Sequence, residues 1–213
     1  MINTLQTIMK HKLVAVVRGA NLDDVMPIAE ALYDGGIRIL EITMDTPRVE
    51  TVINEVNQAF DEKMVVGAGT VLDPESARTA IMAGAKFIFS PTVNTRTIEM
   101  TKRYGVVSIP GAMTPTEILT AYEHGADLVK VFPAGVMGPS YMKDVHGPLP
   151  HVPLMPTGGI DLSNVRAYFE KGAVAAGLGS ALVKTGSPMT DDDLQAMKDN
   201  ARQFIEAIEG VST

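Results

Sequence analysis

The sequence of 213 residues contains no cysteine. That excludes disulfides, thiolate nucleophiles and cysteine-ligated metal sites, and it fits a reducing compartment. Histidine is scarce as well. His11, His124, His146 and His151 show no ligand spacing such as H-x-H or H-E-x-x-H, which argues against a metal site and for surface or loop positions. Positive charge is in deficit: 18 Lys and Arg stand against 25 Asp and Glu, a net charge of −7. Such a chain has no basic footprint for nucleic acid or an anionic membrane surface, so an anionic substrate would need a local site. No apolar run approaches the roughly 20 residues of a membrane span. The opening MINTLQTIMKHKLVAVV lacks the charged-then-apolar order of a signal peptide. A cytoplasmic protein is expected, with neither nucleic acid nor membrane as a partner.

What is present is the composition of a packed globular chain, 46% hydrophobic and 20% charged. Short β-branched runs alternate with helical patterns along nearly its whole length. The strands are predicted at 13–18, 37–43, 64–70, 86–90, 106–109, 127–132, 152–157 and 173–178. Helices are predicted at 22–33, 49–60, from Pro74, at 95–104, from Pro115, and at 141–145, 163–170 and 191–208. Gly35-Gly36 stops the first of these. Thr114-Pro115-Thr116-Glu117 carries an N-cap signal, with Pro at the first helical position. Asp191-Asp192-Asp193 reads as a solvated helix start favoured by the dipole, and the 13 methionines read as core filler.

Strands joined by helices must run parallel, and a parallel sheet buries both faces. Eight such units without a linker predict one domain over residues 1–213, an α/β (β/α)8 TIM barrel. An open doubly wound sheet is the competing arrangement. Glycines near the ends of strands three, seven and eight suit either backbone close to a ligand or plain turn chemistry.

Lys130 lies in Leu128-Val129-Lys130-Val131-Phe132, the middle of a strand buried on both faces. Burial disfavours the charged ammonium and yields a neutral amine, which can attack a ketone and form a Schiff base. A purely structural lysine, paired with a glutamate or snorkelling out of the barrel, is the alternative. Glu41 sits likewise inside Ile39-Leu40-Glu41-Ile42-Thr43. A buried carboxyl has a raised pKa and suits general acid/base work; equally, it could only neutralise Lys130.

Arg18 ends the first strand, where a barrel's catalytic mouth lies, and its guanidinium matches a carboxylate bidentately; a surface salt bridge is the other possibility. Thr70 ends strand three and could bond the same carboxylate, or simply cap. Thr157-Gly158-Gly159 and Gly177-Leu178-Gly179-Ser180 follow strands seven and eight, where barrels commonly bind phosphate through backbone N–H groups. Together they predict a phosphorylated substrate.

The motifs AVVRG, GGIRILEITMDTP, VVGAGTVLDP, FIFSPTVN, SIPGAMTPTE, LVKVFPA, MPTGGI and GLGSALV run in order from Leu13 to Lys184. As an ordered set they resemble the bacterial 2-keto-3-deoxy-6-phosphogluconate (KDPG) / 4-hydroxy-2-oxoglutarate (KHG) aldolase family. The resemblance implies a class I aldolase on a (β/α)8 barrel, a homotrimer needing no cofactor. It implies Lys130 as Schiff-base former and Glu41 as proton shuttle. Arg18 and Thr70 match positions that handle the pyruvate carboxylate, and Pro91 and Phe132 match the pyruvyl pocket. Thr157, Gly158, Gly159, Gly179 and Ser180 match the phosphate-facing part.

One departure stands out. Some members carry an arginine two residues after the threonine of E-x-T, where this chain has Asp45; an acidic side chain cannot make that contact, which leaves the carboxylate to Arg18. The stretch 138–143 (GPSYMK) also resembles the sister 2-dehydro-3-deoxy-6-phosphogalactonate aldolases, whereas Thr157 before Gly-Gly looks like the phosphogluconate branch. A phosphosugar-binding barrel without lyase activity and a phosphate-binding isomerase are the readings from other classes.

Overall fold

The computed structural model describes residues 4–20, 22–186 and 188–211. Its strands are β1 (Leu13–Val17), β2 (Ile39–Thr43), β3 (Val65–Gly69), β4 (Phe87–Phe89), β5 in two pieces (Val107–Ile109 and Gly111–Ala112), β6 (Val129–Val131), β7 (Leu154–Pro156) and β8 (Ala176–Leu178). All ladders are parallel. The helices are α1 (Thr4–His11), α2 (Leu22–Asp34), α3 (Val49–Phe60), α4 (Pro74–Met82), α5 (Thr95–Arg103), α6 (Pro115–Glu123), α7 (Ala134–Met137), α8 (Ser140–His146), α9 (Val165–Glu170) and α10 (Asp191–Ala207).

The sheet curls into the expected barrel and is joined at two seams. One is Pro110. Residues 107–109 pair with β4, the chain passes through Pro110, and residues 111–112 pair with β6. Proline has no N–H to donate, but its carbonyl accepts from Lys130 N–H at 2.9 Å. The strand predicted to stop at Ile109 therefore resumes beyond the proline against a different neighbour. At the other seam, Thr157 bridges Gly177, and Val174 N–H donates to Leu154 O at 3.0 Å. The open doubly wound alternative is thereby set aside.

Strand alternation sorts the side chains into two cores. Leu13, Ala15, Val17, Leu40, Ile42, Val66, Ala68, Ile88, Val129, Val131 and Leu154 pack outward against the helices. Val14, Ile39, Val65, Phe87, Phe89, Ile109, Leu128, Met155 and Ala175 fill the barrel, and Ile8 of α1 belongs to that same inner cluster. The α1 helix was not anticipated from sequence. Eight residues are too few to hold a helix alone in water; fully buried Ile8 holds it by plugging the strands' N-terminal end.

Local signals set the helix ends. Asp73 accepts from Ser76 N–H at 2.6 Å, and Thr114 with Glu117 forms a capping box behind Pro115. Thr190 and Asp193 form another at the triple-aspartate start of α10.

Candidate active site

The register of β1, β2 and β3 aligns Val16, Glu41 and Gly67 across the barrel interior, with Thr43 and Gly69 one step higher. Glu41 has no solvent exposure, and neither carboxyl oxygen has a hydrogen-bond partner. Its space exists because Gly69 has no side chain: a Cβ there would overlap the Glu41 carboxylate, and a Cβ at Gly67 would overlap the Phe87 ring. At Gly67 and Gly69 the close neighbours in the fold are therefore side chains. Gly69→Ala is expected to destabilise the fold by about 1–3 kcal/mol through overpacking, read as a lower urea midpoint. An unchanged midpoint would show that Glu41 moves aside freely.

Lys130 lies on β6, 4% exposed. Its Nζ stands 5.1 Å from the ring centres of both Phe89 and Phe132. Burial lowers its pKa, the Arg18 charge lowers it further, and Glu41 opposes. Burial likewise raises the pKa of Glu41, against the pull of Lys130 and Arg18 and with help from Asp45. The two groups feel each other's charge, yet they are not among the ion pairs closer than 4.0 Å. Desolvation dominates at both, which favours a neutral amine beside a protonated carboxyl. A tight Lys–Glu ion pair is not what these strands hold.

Arg18 is exposed at the end of β1, and its Nη2 donates to Thr70 Oγ1 at 3.1 Å. It is in none of the salt bridges, so the surface-pair alternative finds no support. Thr70 has φ 56°, the left-handed region disfavoured for a β-branched residue. Such strain persists only where surroundings impose it; here it sets the hydroxyl against the guanidinium.

Phe132 forms a wall between Lys130 and the next loop, since a Cβ at Gly158 would lie 3.1 Å from its ring. Pro91 lies against the other piece of β5, its carbonyl 2.5 Å from where a Gly111 Cβ would stand. Thr157 is buried over Gly177, its hydroxyl without a partner. Gly158 and Gly159 both have positive φ, 83° and 78°, and Gly159 packs on the backbone of Gly135. The carbonyls of Thr157 and Gly158 accept from Ala134 and Gly135 N–H at 2.9 and 2.8 Å. The loop after β7 is therefore laced to α7, which the sequence did not reveal. After β8, Leu182 and Val183 N–H both donate to Gly179 O at 2.8 Å, a single helical turn with Gly179 and Ser180 at its start.

Phe89 and Thr43 were missed in the sequence, although period-two alternation from Phe87 and Glu41 places them on the inner face. Among the described residues, no three His, Cys, Asp or Glu cluster as a metal site, and no helix is long and apolar enough to cross a membrane. A cavity of about 790 Å³ opens at the far end of the barrel, beside Asp61, Glu62 and Lys86, and holds none of these groups.

This arrangement has known counterparts. The KDPG and KHG aldolase family model matches residues 5–199. A 2-dehydro-3-deoxy-phosphogluconate aldolase of Treponema pallidum is 36% identical over 193 residues, 90% of this chain and 91% of the relative. A 2-dehydro-3-deoxy-6-phosphogalactonate aldolase of Escherichia coli is 33% identical over 188 residues, 88% and 92% respectively. The KDPG aldolase of Legionella pneumophila, solved with pyruvate captured as a covalent carbinolamine intermediate, has a TM-score of 0.81 at 27% identity over all of both chains. The chain belongs to the KDPG and KHG aldolase family.

Proposed function

We propose that this protein is a single-domain class I aldolase. It cleaves KDPG to pyruvate and glyceraldehyde 3-phosphate, or KHG to pyruvate and glyoxylate. The observation that carries the reading is a desolvated Lys130, outside ion-pair distance of Glu41, beside a carboxyl with no hydrogen-bond partner. The neutral amine attacks C2 of the keto acid, and Glu41 protonates the carbinolamine hydroxyl, which leaves as water. The resulting iminium draws in the electrons of the C3–C4 bond. Glu41, now a carboxylate, accepts the C4 hydroxyl proton as the aldehyde departs. Protonation of the enamine at C3 and hydrolysis release pyruvate and restore the amine.

Arg18 and Thr70 hold the substrate carboxylate, and Pro91 and Phe132 enclose the pyruvyl group. Thr157, Gly158, Gly159, Gly179 and Ser180 hold the far, phosphorylated end. The reaction needs no metal or other cofactor. The assembly is a homotrimer of a cytoplasmic protein, supported by the fold shared with a cage designed from symmetric oligomeric domains, at TM-score 0.87. The galactonate epimer is the second reading, supported by the Escherichia coli relative; parallel assays on the two epimers separate them.

The test is incubation with pyruvate and borohydride, then digestion and mass spectrometry. A reduced pyruvyl adduct on Lys130 is expected. No adduct, or one on another lysine, would move the barrel to the non-lyase binding or isomerase reading.

A further inference from the structure

The end of β1 is tied to the loop after β8. Thr185 Oγ1 donates to the backbone carbonyl of Arg18 at 2.7 Å. One residue earlier, Thr43 Oγ1 donates to Val17 O at 3.2 Å. One residue later comes Gly19, left-handed at φ 59°, with nothing within 4 Å of where a Cβ would stand. Thr185 thus grips the last carbonyl before a glycine that restrains little. Its own loop is firmly seated: Leu182 and Val183 are buried, and Asn200 Nδ2 of α10 donates to Ala181 O at 2.7 Å. Anchorage therefore runs from α10 through the turn at Gly179 and across to Arg18, whose guanidinium reaches Thr70.

We propose that Thr185 is a positioning residue for the keto-acid end of the site: it fixes the backbone of Arg18 so that the guanidinium meets the substrate carboxylate without first being ordered. The inference rests on the aldolase reading above and on Arg18 as its carboxylate group. A long side chain on an untethered strand end loses freedom when it binds, and that loss opposes binding. The tie removes part of it beforehand. It touches neither Lys130 nor Glu41, so it governs how much pyruvate is needed and leaves the chemical step alone.

The test uses the full chain as the native protein, Thr185→Val and Thr185→Ser. The rate of borohydride trapping is followed against pyruvate concentration, with a thermal melt of each protein. Thr185→Val is expected to raise half-saturating pyruvate roughly three- to tenfold, the scale of one lost hydrogen bond. Its limiting rate stays within about twofold of native, its melt falls by no more than a few degrees, and Thr185→Ser keeps native half-saturation. Unchanged half-saturation in Thr185→Val overturns the proposal. So does a serine variant as weak as the valine, or a lower limiting rate at constant half-saturation. If native protein forms no adduct on Lys130, the aldolase reading falls and this inference with it; a native adduct with an indifferent valine variant sinks the inference alone.

Discussion

Lys130→Met is expected to lower aldol cleavage by about 10⁴-fold or more, to abolish the pyruvate adduct, and to make the fold more stable at neutral pH. The first two effects follow from removing the nucleophile; a loss of that size corresponds to at least roughly 5 kcal/mol of transition-state stabilisation. The third follows from linkage. Burial depresses the folded pKa of Lys130 below its ordinary 10.5. The stability attached to a depressed pKa is present above the unfolded value and is lost as pH falls toward the folded one. Below about pH 10 the unfolded chain binds this proton more readily than the buried amine does, so the lysine works against folding.

Methionine is of similar length, apolar and non-titrating. Removing Lys130 also removes the influence that pulls the Glu41 pKa down, so burial keeps that carboxyl on its raised side. The melting temperature of Lys130→Met should therefore exceed native at neutral pH, and the gap should close toward about pH 10 as the unfolded lysine loses its proton. Calorimetry across that range checks it. A variant less stable than native near pH 7 would mean that Lys130 is charged and paired in the fold, and the neutral-nucleophile argument would fail.

Glu41→Gln is expected to lower kcat by about 10²–10⁴-fold and to slow formation of the adduct on Lys130 without abolishing it. Glutamine fills the space beside Gly69 but carries no proton between the carbinolamine, the C4 hydroxyl and C3. The cleanest readout is exchange of the pyruvate methyl protons with deuterated water, followed by NMR, since exchange requires enamine formation and return. Native protein should exchange readily, and the glutamine variant should still be trapped, though more slowly, and lose exchange. Exchange at the native rate would place the proton carrier elsewhere.

The same variant tests the pKa. Burial raises Glu41 above 4.5, with Asp45 adding to the shift. Its stabilising contribution is present below about 4.5 and is lost as pH rises through the raised value. Glutamine removes that pH-dependent loss, so Glu41→Gln should gain stability over native on the alkaline side of the transition.

Much of the architecture was readable from local pattern. Alternation of β-branched runs with helical periods, the cap at Thr114, and the helix starts at Pro74 and Asp191 depend on neighbours a few residues apart. Such signals survive without tertiary context. Lys130 and Glu41 stood out for a related reason: a charge inside an apolar strand run is visible at sequence level. Other features joined residues far apart in the chain and were not readable. Helix α1 exists because Ile8 fills the inner core. The passage of β5 through Pro110 depends on which strand lies on each side. Helix α7 is held by carbonyls of the loop after β7.

By itself, then, the sequence determined the order and type of the elements, the parallel sheet and the identity of the two buried ionisable groups. All of these follow from the period of hydrophobic residues and the chemistry of single side chains. Tertiary structure alone decided that Lys130 and Glu41 stay outside ion-pair distance and that Gly69 makes room for a carboxyl. It also decided that Arg18 is tied to Thr70 on one side and Thr185 on the other. Desolvation, close packing and long-range hydrogen bonds are properties of atoms brought together from separate strands, and no local pattern encodes those distances.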